Sequence, residues 1–207
     1  MTVLVMIAYL GIHWVISMTF DGPVRSDIPT LVFSELTRGV PTFLCSLAVF
    51  SVMEKQGGIK LISTDKKLSP LISVIIAIDV AAVLSSINFF LMKNDNPADF
   101  EISVSRLIVC LIPAIYEEIV CRAIFMAFSL YVIGEEKPTK FQMFTMWFMM
   151  CFPHTAAHGY DIVSTVILCV LFGLPFTLLQ RKRDLASAMI SHGLVDAVRF
   201  TVFGLGL

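Results

Sequence analysis

The sequence predicts an all-α protein, a polytopic bundle of about seven transmembrane helices. Of its 207 residues 57% are hydrophobic and only 15% charged. The mean hydropathy is +0.85. Apolar runs of spanning length recur along the whole chain, with only short polar segments between them. A soluble core cannot absorb that much apolar surface. Lipid offers backbone groups no hydrogen-bond partner, so such a chain crosses a bilayer as helices.

A span needs roughly 20 predominantly apolar residues, and seven segments come near that standard. The first, Val3–Phe20, lacks a basic start and a small-residue cleavage site, so it reads as a retained helix and not as a signal peptide. The second, Arg38–Met53, is short and carries Pro41 near its start, which makes it the weakest. Pro70–Met92 and Val104–Ile133 follow, then Phe141–His158, Ile162–Gln180 and Leu185–Phe203. No repeat or linker divides the chain, which reads as one integral membrane domain with N-terminal helices over 1–103 and a helical core over 104–207. The five cysteines all lie in apolar stretches without metal-site spacing, as small core hydrophobes would.

The loops at 54–69, 134–140 and 181–184 carry nine Lys and Arg, and those at 21–37 and 93–103 carry only Arg25 and Lys93. Positive loops stay in the cytoplasm, so seven spans place the N-terminus inside and the C-terminus outside. The cations form no stripe interleaved with aromatics, and nucleic acid is not an expected partner.

The fourth span contains Glu117, Glu118 and Arg122 near its middle. One charge at the centre of a span costs roughly 2.5–3.5 kcal/mol, so three need a reason. Glu118 and Arg122 stand i,i+4 and can pair on one helix face. Glu117 points about 100° away and finds no partner on its own helix, which makes it a candidate general base. His154 and His158 are also i,i+4, on one side if the helix continues past Pro153. His192 and Asp196 repeat the spacing in the last span. His13, alone in the first span, reads as a packed or interfacial histidine; Asp79 would line a cavity or pair with an arginine; Asp161 falls in a loop.

The segment Glu117-Glu118-Ile-Val-Cys-Arg122, followed by His158 and then by His192 with Asp196, resembles the CPBP family of intramembrane proteases, also called CAAX-protease-like or Abi proteins. Its signature is EExxxR, a histidine usually preceded four residues earlier by Phe, and HxxxN or HxxxD. The resemblance covers roughly residues 104–203. His154 stands where that Phe is usual, and Asp196 where Asn is common. The histidine favoured as functional is His158, for its spacing and the Gly159 that follows.

The resemblance implies peptide-bond hydrolysis in a membrane-associated or lipidated substrate, in the cytoplasmic membrane of a bacterium or archaeon. Glu117, helped by His158, would activate water; His192 and Asp196 would hold the oxyanion; Glu118, Arg122 and His154 would support them. An ionised Asp196 cannot donate a hydrogen bond, so it would be protonated or would orient His192. The favoured mechanism uses no cofactor. The rival is a zinc-dependent metalloprotease with Glu117, His158 and His192 as ligands. A non-proteolytic membrane scaffold or bacteriocin-immunity protein is a third alternative. Oligomeric state and substrate are not readable from the sequence. Counting residues also puts Glu117, His158 and His192 at different depths, so they meet only if the fifth helix is tilted or its boundaries differ.

Overall fold

The computed structural model describes residues 1–19, 27–63, 69–94, 99–134 and 137–204. Among these residues it is all-α, with seven helices and no strand. They are α1 (Thr2–Thr19), α2 (Ile28–Gln56), α3 (Pro70–Met92), α4 (104–133), α5 (Lys140–Ala156), α6 (Ile162–Lys182) and α7 (Leu185–Phe203). Arg25, Lys66 and Lys67, used above for orientation, lie outside the described residues, as does Phe20.

Local chemistry fixes the helix starts. Asp27, Ser69, Ser103, Thr139, Asp161 and Asp184 each accept hydrogen bonds from backbone N–H groups of the first turn that have no partner inside the helix. Thr139 and Gln142 form a reciprocal capping box. Gly134 ends α4 at φ +69°, a backbone conformation that a Cβ would strain.

The second helix departs from expectation. It starts at Ile28, ten residues before Arg38, because Asp27 caps it and Pro29 fits its first turn. Pro41 does not break it: a π turn at Glu35–Gly39 precedes the proline, and the Thr42 hydroxyl donates to the Arg38 carbonyl. The π turn Cys169–Gly173 likewise precedes Pro175 in α6. In both, proline removes an N–H from the α-helical ladder. A third π turn, Glu118–Ala123, has no such proline and carries Glu118 and Arg122.

The outer surface is apolar, with Leu71, Phe90, Phe128, Phe144 and Val163 each more than 60% exposed. Thr42, Ser46, Thr165, Thr177, Ser187 and Ser191 are buried. Apolar outside and small polar inside is the arrangement of helices packed in lipid, where small side chains let backbones approach. Three helices, Ile28–Gln56, Pro70–Met92 and Ile162–Lys182, are long and apolar enough to cross a membrane, and Thr2–Met18 is apolar but shorter. Those that miss that standard include α4, α5 and α7, which carry the carboxylates and histidines. No disulfide forms among Cys45, Cys110, Cys121, Cys151 and Cys169.

Candidate active site

The depth conflict resolves through where the helices begin. Glu117 lies 16 residues before the end of α4 and His154 lies 14 after the start of α5. At ~1.5 Å per residue both stand about 21–24 Å from the turn joining those helices. His192 is only seven residues into α7, but that helix starts deep. Leu185 and Ala186 donate backbone N–H bonds to Lys60 and Leu61 carbonyls at 2.8 and 2.9 Å. The Asp184 carboxylate accepts from the Ser63 N–H at 2.8 Å and from Ser187. Residues 59–63 thus roof the start of α7, and Leu185 and Asp184 are buried beneath them. Gly193 completes the fit: a Cβ there would come within 3.3 Å of the Ala114 Cβ on α4.

The result is one polar cluster. His154 Nε2 lies 3.1 Å from Glu117 Oε2, and His192 Nε2 lies 3.4 Å from the same oxygen. The other His192 nitrogen, Nδ1, donates to Glu118 Oε1 at 2.7 Å. That oxygen also accepts from Arg122 Nη1, so the i,i+4 pair of α4 forms as its spacing anticipates. His192 Nε2 is 3.6 Å from Asp196 Oδ2. Glu117, without a partner on its own helix, finds two on α5 and α7.

The helix of α5 does continue past Pro153, but it ends at Ala156. His154 is therefore helical, and His158 occupies the turn beyond it, its ring perpendicular to that of His154 at 5.0 Å between centroids. The histidine in contact with Glu117 is His154. His158 is exposed and stacks on Tyr160. Among the described residues the three ligand-bearing groups lying mutually within 4.8 Å are Glu117, His154 and His158, which replaces His192 by His154 in the ligand set considered above. His192 already has Glu118 on one nitrogen.

A cavity of about 540 Å³ opens on these groups, lined by Glu117, Arg122, His154, His158, His192 and Asp196. Its apolar wall comes from Leu91, Phe172, Phe176 and Val195. Phe176 is a residue that reading by motif misses. Its ring stacks on His192 at 4.8 Å and lies under the Arg122 guanidinium at 5.2 Å, so it holds both orientations. A Phe in an apolar helix carries no signal of such a role. Arg199, on the last span, also lines the cavity.

Three other candidates fall outside the cavity. His13 donates to or accepts from Glu35 at 2.6 Å between α1 and α2. Asp79 lies exposed on the outer face of α3 and neither lines the cavity nor meets an arginine at ion-pair distance among the described residues. Asp161 caps α6, where the hydrogen bonds of Ser164 hold its carboxyl below the usual range.

No curated protein and no solved structure matches the chain. Residues 99–198 match the family described as type II CAAX prenyl endopeptidase Rce1-like, and that stretch contains every carboxylate and histidine of the cluster. The chain is an integral membrane protein whose residues 99–198 are similar to the Rce1-like CAAX endopeptidases.

Proposed function

We propose that the protein is an intramembrane endopeptidase acting on a membrane-associated or lipidated peptide, with Glu117 as general base. The observation that carries this reading is the Glu117 carboxylate, set between His154 at 3.1 Å and His192 at 3.4 Å on the wall of a cavity large enough for a peptide segment. Glu117 takes a proton from water, the hydroxide oxygen bonds to the scissile carbonyl carbon, and the carbonyl electrons move to oxygen as an oxyanion. His192 and Asp196 stabilise that charge. The intermediate then collapses, the C–N bond breaks, and the proton held by Glu117 passes to the leaving amine. With Nδ1–H committed to Glu118, His192 Nε2 donates to an oxyanion only as imidazolium; Asp196 donates only when protonated. His158, at the cavity wall beside His154, orients the attacking water.

The test uses purified protein in proteoliposomes and a fluorescent peptide ending in an S-prenylated Cys-a-a-X sequence. Wild-type protein cleaves it, and Glu117→Gln, eluting as wild type does, loses cleavage by 100-fold or more. Cleavage that survives the substitution overturns the assignment. A peptide left intact by wild-type protein supports a non-proteolytic scaffold or immunity role instead.

A zinc-dependent mechanism has one observation in its favour, the mutual approach of Glu117, His154 and His158 within 4.8 Å. One carboxylate and two imidazoles are the donor set of many catalytic zinc sites, and the ion would lower the pKa of a bound water. Metal analysis of the purified protein, with activity followed through chelation and re-addition, separates the two. Stoichiometric zinc with activity lost on its removal supports the metal; full activity in metal-free protein supports Glu117 alone.

A further inference from the structure

Arg199 lines the same cavity one helical turn beyond Asp196 on α7, half-buried, with the Phe200 ring 5.7 Å from its guanidinium carbon. It lies within electrostatic reach of Asp196 and His158. Among the described residues no carboxylate lies within ion-pair distance of it. The contrast with the other arginines facing this part of the bundle is sharp. Arg122 is paired with Glu118, and Arg106 is held by Asp99 and Glu101 at 2.6 and 2.7 Å. A guanidinium set in an apolar bundle is costly without a counter-charge, and its planar fork matches a carboxylate through two parallel hydrogen bonds. Neither Glu117 nor Asp196, the carboxylates of the same cavity, stands at ion-pair distance from its guanidinium. Arg199 also lies one residue beyond the stretch that matches the family.

We propose that Arg199 anchors a carboxylate of the bound peptide, that of the substrate's own C-terminus, and so fixes which bond lies against Glu117. Arg199 is thus a positioning and specificity residue. The proposal rests on the peptidase reading. A substrate held by its end releases a short C-terminal fragment, whereas one held by an acidic side chain would be cut with no regard to the terminus.

Binding and cleavage are measured separately. Fluorescence anisotropy with Glu117→Gln protein in detergent compares three forms of the prenylated Cys-a-a-X peptide: the free acid, the C-terminal amide, and an amide carrying an internal Glu. The free acid is expected to bind about 10- to 100-fold tighter than either amide. Adding Arg199→Gln removes that preference by weakening the free acid alone, and Arg199→Lys restores part of it. Cleavage by protein with intact Glu117 then shows KM for the free acid raised by Arg199→Gln, with kcat little changed. Equal binding of acid and amide, or a preference that survives Arg199→Gln, overturns the proposal. Tighter binding of the internal-Glu amide than of the free acid overturns the C-terminal assignment. Free-acid preference in a protein that cuts no peptide refutes the peptidase reading and leaves the anchor standing.

Discussion

Glu118 Oε1 accepts hydrogen bonds from side chains of two different helices, Arg122 on α4 and His192 Nδ1 on α7, the latter at 2.7 Å. Because Glu118 is fully buried, this single oxygen ties the ionisable groups of two helices together and sets which nitrogen of His192 faces Glu117.

The two ends of that arrangement respond differently to substitution. Glu118→Ala leaves the Arg122 guanidinium buried without a partner, and breaking a buried pair costs about 3–5 kcal/mol. Its expected outcome is loss of folded protein, read as a large drop in thermal transition temperature in detergent. Glu118→Gln keeps the volume and an acceptor oxygen, so it is expected to fold and to lower kcat with little change in KM, because His192 loses its charged partner. A kcat matching wild type would show that the tautomer of His192 is not set by Glu118.

His154 and His158 divide the work by position. His154→Ala removes the group touching Glu117 at 3.1 Å and is expected to lower kcat about 100-fold or more. His158, exposed at the cavity wall, is expected to affect kcat and KM together when changed to Ala, with a smaller loss of stability. Steady-state kinetics of both variants decide the order. Zinc content is measured on the same preparations, since only a metal site predicts that both lose the ion.

Asp184 is expected to act at a distance. It caps α7 and ties it to Ser63, so Asp184→Ala costs about 1–2 kcal/mol for the cap. Freed from its roof, α7 slides relative to α4, and His192 no longer meets Glu117. The expected reading is a modest fall in thermal stability with a disproportionate loss of kcat. Asp184→Asn keeps one acceptor oxygen for the Ser187 N–H but turns an amide NH2 toward the Ser63 N–H, so it recovers the stability of the cap and not the kcat. A loss of kcat no larger than the loss of stability would show that the position of α7 does not depend on this corner.

The fold class, the helical stretches and the Glu118–Arg122 pair were legible in the residues because they depend on periodicity within one helix. Six of the seven segments meet the observed helix limits to within two residues at each end, as at Pro70–Met92 and Leu185–Phe203; the exception is Arg38–Met53. The start of α2 was not legible. Its first turn is stabilised by Asp27 and Pro29, while the apolar count there is diluted by Ser34, Glu35 and Arg38. Charged and polar residues likewise keep α4 and α7 out of the long apolar helices, and α5, at 17 residues, is too short, although the candidate site lies on all three.

By itself the sequence determined that this is an apolar helical protein with carboxylates and histidines placed in its helices, since hydropathy and i,i+4 spacing are properties of the chain alone. Only the tertiary structure decided that His154 meets Glu117, that Phe176 supports His192 and Arg122, and that Arg199 faces the same cavity. Those relationships depend on the relative depth of α4, α5 and α7. That depth follows from the buried Asp184 corner and the close approach at Gly193, contacts between residues more than 70 positions apart that no local pattern encodes.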